Sequence, residues 1–154
     1  MQNMQASWRN PKTDNPIVLV KRQAYPFLSL LLYDIDTPYP YHRKSSPYLH
    51  LLKTNIACTA AAGVTLCKLG YIHRNQTVPY EPPNPRNHIL HCYVIEVVGH
   101  HLPINPAIER EVMAKRGRES YDLAAFCERN QVTSVAKGCF IYNGKNNAVE
   151  TRDK

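Results

Sequence analysis

Apolar residues in this chain fall in short blocks, separated by polar and proline-bearing segments. Blocks at 17–20 (IVLV), 27–33 (FLSLLLY), 48–58 (YLHLLKTNIAC) and 89–99 (ILHCYVIEVVG) predict strands, with a weaker one at 63–72. Runs this short and this apolar suit strands buried in a sheet. Between the last two lies VPYEPPNPRNH, whose proline rings fix φ and exclude both a helix and a central strand. Helical signals come only afterwards. Asn105 followed by Pro106 predicts an N-cap and first turn opening PAIEREVMAKRG, with Gly117 as the stop. Ser120 is the expected cap of a second helix over YDLAAFCERN, and GCFIY reads as a closing strand. Strands first, one or two helices late and a last strand predict a mainly β, α+β sheet domain. The expected organisation is an arm at 1–16, a domain at 17–143 and a polar tail at 144–154.

Composition narrows this picture. A chain of 154 residues is one domain by length and can bury a core without staples. Twelve prolines against six glycines favour fixed turns and strand ends over a helical bundle. The longest apolar run is far too short to span a bilayer, so no transmembrane segment is expected. Residues 1–16 lack both the apolar core of a signal peptide and the Arg-rich pattern of a transit peptide. Five cysteines with no CxxC spacing suggest buried, unbridged thiols and an intracellular, reducing compartment. The formal charge of +7 fits nucleic acid, an acidic partner or an anionic surface, and does not choose among them.

Candidate chemistry centres on LLLYDIDTP, where an apolar strand ends in two carboxylates one residue apart. Alternate strand residues share a face, so Asp34 and Asp36 would lie side by side and raise each other's pKa unless donors answer them. His50 sits among leucines in PYLHLLKTN, while His91 and Tyr93 follow the proline-rich loop. A metal site is one reading of these groups, but no HExxH or paired-cysteine spacing supports it. An aspartate-oriented histidine acting as acid or base is a second, without a recognisable nucleophile. The third is a small-anion pocket in which histidine and tyrosine donate while the aspartates orient them.

These residues carry a resemblance. LLLYDIDTPYPYHRKSSPYLHLLKTNI resembles the first signature of the phosphatidylethanolamine-binding proteins, with Asp34, Asp36, Pro38, His50 and Asn55 on matching positions. YEPPNPRNHILHCYV is similar to the second, through Pro82, Pro83, His91 and Tyr93. The stretch YDLAAFCERNQVTSVAKGCF looks like the family's closing helix and strand, through Phe126, Gly138, Cys139 and Phe140. The resemblance spans roughly residues 27–142 and implies a phosphatidylethanolamine-binding-protein-like β-sandwich or sheet domain. It further implies a shallow pocket for phosphate-like head groups, bound by Asp34, His50, Pro82, Pro83, His91 and Tyr93 and supported by Asp36, Pro38 and Glu81. Several positions depart from the pattern. Ile35 and Thr37 replace a proline and an alanine, one histidine of a tandem pair is gone, and Glu81 stands where the family has glycine. Glu81 is expected to crowd the pocket or repel an anion. The family's first strands are shortened, and its C-terminal helix has no counterpart in NGKNNAVETRDK.

Two functions follow as expectations, both non-catalytic and without a cofactor. The first is a structural subunit of a large assembly, cytoplasmic or mitochondrial (ribosomal or respiratory, for instance), contacting protein subunits and RNA through its basic surface. The second is a free-standing regulatory module that binds phosphate or a phospholipid head group.

Overall fold

A computed structural model describes residues 17–19, 25–61, 64–67 and 75–144. The expected arm at 1–16 and the tail from 145 onward lie outside the described residues, as does much of the weak strand at 63–72. The elements are β1 (Ile17–Leu19), β2 (Phe27–Asp34), β3 (Tyr48–Ala61), β4 (Val64–Cys67), β5 (His91–His100), α1 (Pro106–Arg116), α2 (Leu123–Asn130) and β6 (Thr133–Tyr142). Among the described residues they form one sheet in the order β1-β4-β3-β2-β5-β6, and each pairing is antiparallel.

Strand β2 lies in the middle because nearly every residue of FLSLLLYD can be buried on both faces. One face sets Leu31, Tyr33, Leu49, Leu52, Val94 and Val98 against Ile104, Tyr121 and Phe126 from the helical segment. The other gathers Leu28, Leu30, Leu32, Leu51 and Tyr93 with Tyr25, Ile56 and Val135. Each leucine so buried contributes on the order of 2 kcal/mol. Strand β3 pairs with β2 through residues 48–57 and with β4 through 58–61. Opposite β2 it carries a bulge: Leu51 faces Leu32 and Leu49 faces Tyr33, leaving His50 as the extra residue. A bulge re-aims the side chain it adds.

Helix α1 follows its local signals. Asn105 Oδ1 accepts from the Ala107 N–H at 3.0 Å, Pro106 occupies the first turn, and Gly117 closes the helix at φ +74°. Helix α2 does not start as expected. Its cap is Asp122, which accepts from the Ala125 N–H at 2.9 Å, whereas Ser120 lies at φ +50° and donates to the Lys44 carbonyl. The backbone at 120–121 is committed elsewhere: the Ser120 and Tyr121 N–H groups bond the carbonyls of Ser45 and Pro47 at 2.9 Å, which delays the helix. Strand β6 starts five residues before the apolar GCFIY, since an edge strand can pair through polar residues such as Thr133 and Ser134. The proline-rich segment still admits one short 3₁₀ turn, Arg86–His88.

The cysteines correct a second expectation. Cys58 is disulfide-bonded, and the residue facing it on β4 is Cys67. Cys92, Cys127 and Cys139 are free, but Cys139 is exposed and the other two are only partly buried. A cross-strand register brings side chains together at sequence separations that spacing motifs do not capture.

Candidate functional site

The end of β2 puts Asp34 directly opposite Tyr48 on β3 and Tyr93 on β5. His91, two residues before Tyr93, points to the same face, and the β3 bulge brings His50 there as well. Asp34, His50, His91 and Tyr93 therefore converge, all of them buried.

Each carboxylate of DID has its own donors. Asp34 Oδ1 accepts from the Asp36 N–H and Oδ2 from His91 Nδ1, both at 2.7 Å. Asp36 Oδ2 accepts from the Cys92 N–H at 2.9 Å, and Oδ1 lies 2.8 Å from Arg43 Nη2 in an ion pair not aligned as a hydrogen bond. The following loop is stitched to the sheet without the family's proline and alanine. Ile35 N–H bonds the Cys92 carbonyl at 3.1 Å and Ser46 Oγ donates to the Ile35 carbonyl at 2.8 Å. Pro38 enters that loop through a cis Thr37–Pro38 bond.

His50 donates from Nδ1 to the Glu81 carbonyl at 2.8 Å, and its ring packs against those of Tyr48 and Tyr93 at 5.0 and 5.4 Å. Burial first of all holds its pKa below the usual imidazole range. Tyr93 stacks on Phe140 at 5.3 Å, and burial, reinforced by the Asp34 charge, pushes its hydroxyl far above the ordinary tyrosine range. It remains a protonated donor at any physiological pH. Three buried atoms here have no hydrogen-bond partner among the described residues: Asp36 Oδ1, which the Arg43 ion pair answers, and His91 Nε2 and the Tyr93 hydroxyl oxygen, in side chains at 2 % and 0 % exposure. An orphaned buried polar atom costs about 1–3 kcal/mol, so finding His91 Nε2 and the Tyr93 hydroxyl orphaned beside a fully hydrogen-bonded Asp34 calls for an explanation.

Glu81 does not intrude as expected. Its carboxylate is half-exposed, accepts from the Tyr48 hydroxyl at 3.0 Å and pairs with Arg118 Nε at 2.9 Å. A guanidinium at that distance cancels the extra negative charge, and only the Glu81 backbone serves the cluster. Arg118 is a residue the sequence reading missed. It also donates to the carbonyls of Leu49, His50 and Pro79, fastening the segment after α1 to β3 and to the proline-rich loop. Its position just past Gly117 was the only available signal, and it says nothing about a partner 68 residues away. Arg43, in the basic turn, was likewise not singled out.

Other expected residues play smaller parts. Pro82 is exposed and Pro83 half-buried on the loop that delivers the Glu81 carbonyl. Asn55 lies away from the cluster at φ +59°, where its side-chain amide clamps Ile104 by bonds of 2.7 and 2.8 Å. Among the described residues no group of three or more His, Cys, Asp or Glu is placed to hold a metal ion. No helix there is long and apolar enough to cross a membrane.

With Nδ1–H committed to Asp34, His91 Nε2 can accept a proton from an acidic group or, once protonated, donate to an anion. The Tyr93 hydroxyl beside it is a donor. One acceptor-or-donor and one donor suit a partly protonated oxyanion better than a cation.

No protein-family model matches the sequence, and no characterised protein matches it. Among solved structures, the chain is similar to carboxypeptidase Y inhibitor, solved in complex with its cognate proteinase. The TM-score is 0.61 at 16% identity, over 84% of this chain and 70% of that one. That inhibitor has the phosphatidylethanolamine-binding-protein fold. At this identity the likeness speaks for architecture alone: an antiparallel sheet with two late helices, an α+β fold like that of the phosphatidylethanolamine-binding proteins.

Proposed function

We propose that this chain is a non-catalytic binder of a small, phosphate-like oxyanion, held by His91 and Tyr93 and oriented through Asp34. The observation that carries the reading is the pair of buried atoms without partners, His91 Nε2 and the Tyr93 hydroxyl. A partly protonated oxyanion supplies a proton to His91 Nε2 and an acceptor to the Tyr93 hydroxyl, and the Asp34–His91 bond of 2.7 Å holds the imidazole in the orientation that receives it. Lost crowding by Glu81 supports the same reading, since Arg118 holds that carboxylate. The similar solved protein acts as an inhibitor rather than an enzyme, which is in keeping with a binding role.

A second reading, a subunit held by protein partners, draws on two features. The similar protein was solved bound to another protein, and the outer edge of β6 is exposed. The mitochondrial and RNA-contacting forms of that reading rest on charge and on resemblance alone.

Titration with inorganic phosphate and with phosphoethanolamine, followed by calorimetry and by the imidazole resonances of His91, tests the first reading. Binding in the millimolar to micromolar range is expected, about 4–8 kcal/mol. His91→Ala should abolish it. Equal affinity in wild type and in a folded His91→Ala protein would sink the proposal.

A further inference from the structure

Beyond β5 the sheet ends, among the described residues, in β6. Only Val135 of its ten residues is buried, while Lys137 to Ile141 are all exposed, Ile141 at 67 %. The one pairing irregularity with β5 lies between Val97 and Val98, so 136–142 runs regularly along its inner neighbour and presents an unpaired backbone outward. Native sheets blunt such edges with proline, a bulge, a free charge or a cover. The run AKGCFIY has no proline, and its one charge, although exposed, is paired within the chain: Lys137 Nζ lies 3.4 Å from Glu96 and 5.6 Å from the centre of the Tyr33 ring.

We propose that β6 pairs antiparallel with β6 of a second copy of this chain, about a two-fold axis at Cys139. In such an isologous pairing each residue meets the one equally far on the other side of the axis. Centring on Cys139 sets Lys137 opposite Ile141, Gly138 opposite Phe140 and Ala136 opposite Tyr142. No like charges then face each other, although each copy carries +7. A register centred on Lys137 would instead oppose two cations, which is destabilising. A Cβ built on Gly138 meets nothing within 4 Å, so this position is open space on one face of the sheet. The Phe140 ring of the second copy fills it, the cross-strand aromatic cover that an edge glycine accepts. Both symmetry-related glycines are covered at once. The pairing also withdraws part of the exposed surface of Cys139, Phe140 and Ile141 from water.

The partner copy thereby borders the site described above without adding an atom to it. Phe140 is the ring stacked on Tyr93, and in the pair it is gripped between Tyr93 and Gly138 of the other copy. The pairing itself does not depend on whether an anion binds.

Sedimentation velocity of the full chain, with its disulfide at Cys58 intact, at increasing concentration, with a short bis-maleimide cross-linker mapped by mass spectrometry, tests this. The expected result is a dimer with a single linked peptide pair, Cys139 to Cys139. Ile141→Lys sets a second cation opposite Lys137 of the other copy on both sides of the axis. It should raise the dimer dissociation constant about tenfold or more while circular dichroism stays unchanged. A monomer at all concentrations up to millimolar would overturn the proposal. So would a dimer indifferent to Ile141→Lys, or one that cross-links only through Cys92 or Cys127.

Discussion

Two buried carboxylates, Asp34 and Glu109, have opposite surroundings. Glu109 is 1 % exposed where α1 meets α2. Its Oε1 accepts from Arg129 Nε at 3.0 Å and Asn130 Nδ2 at 2.8 Å, and its Oε2 from Arg129 Nη2 at 2.8 Å, with the Tyr121 hydroxyl at 3.5 Å. The fork of Arg129 is bidentate, and the neighbouring amide uses its remaining donor on the Phe126 carbonyl. Both oxygens of the Glu109 carboxylate are thereby satisfied within the described residues. Asp34 is as well bonded, but the two groups next to it are not: His91 Nε2 and the Tyr93 hydroxyl stay open. A closed network locks two helices together. An open one retains capacity for a ligand and gives up stability to keep it.

The sharpest way to break the contrast is Glu109→Ala. Removing one partner of a buried charged pair strands the other and typically costs about 3 kcal/mol. Urea unfolding should show a loss of that order, with phosphate binding retained in the folded fraction. A loss well under 1 kcal/mol would mean that the Glu109 network is not what joins the helices, and the distinction between the two carboxylates would fall.

The two regions also differ in how readable they were. The Asp34 side of the molecule could be read because strand spacing and three ordered motifs named its residues before any contact was known. The helix start at Asn105–Pro106 and stop at Gly117 were readable for a different reason: capping is decided within four or five residues. Glu109 was not singled out. On a helix it looks like any solvated acid, and its burial depends on Arg129 and Asn130, 20 and 21 residues on. The same limit hid Arg118 and the pairing of β3 with β4 that brings Cys58 opposite Cys67. At Ser120 a good local cap was overruled, because the backbone there was already bonded to the loop at 45–47. Glu81 was judged by its charge and position, and only a distant guanidinium changed what that charge does.

A smaller loss is expected from acid, and it touches both kinds of environment. His50 belongs to the open cluster; His100 belongs to a closed one, bonded to Ser29 Oγ at 2.9 Å and to the Leu102 carbonyl at 2.7 Å. Burial, the largest cause in each case, holds both imidazoles below the ordinary range. In the unfolded chain they take up protons near pH 6.5, but in the folded chain only at lower pH. Between those limits the unfolded state binds more protons, so stability rises with pH and is lost as pH falls below about 6.5. The urea midpoint should therefore decline from pH 7 to pH 5, and less steeply in His100→Asn. Equal slopes for the two proteins would remove His100 from the explanation.

The smallest change is the most telling, because its sign differs between the two networks. In a closed network, deleting a hydroxyl removes a bond and destabilises. The Tyr93 hydroxyl makes no well-aligned hydrogen bond among the described residues, although the Asp34 carboxylate lies near it, and its ring is held independently by stacking on Phe140 at 5.3 Å and by the edge of His50. Tyr93→Phe keeps that ring and removes an unsatisfied buried donor, so stability should stay level or rise by up to about 1 kcal/mol. Phosphate affinity should fall at the same time, since one of its two proposed donors is gone. Tyr121→Phe is the control, because its hydroxyl points to Glu109 at 3.5 Å and its removal should give no gain. If Tyr93→Phe instead costs stability, the hydroxyl has a structural partner within the folded chain. The site would then be closed like the one around Glu109, and its claim to a ligand would go with it.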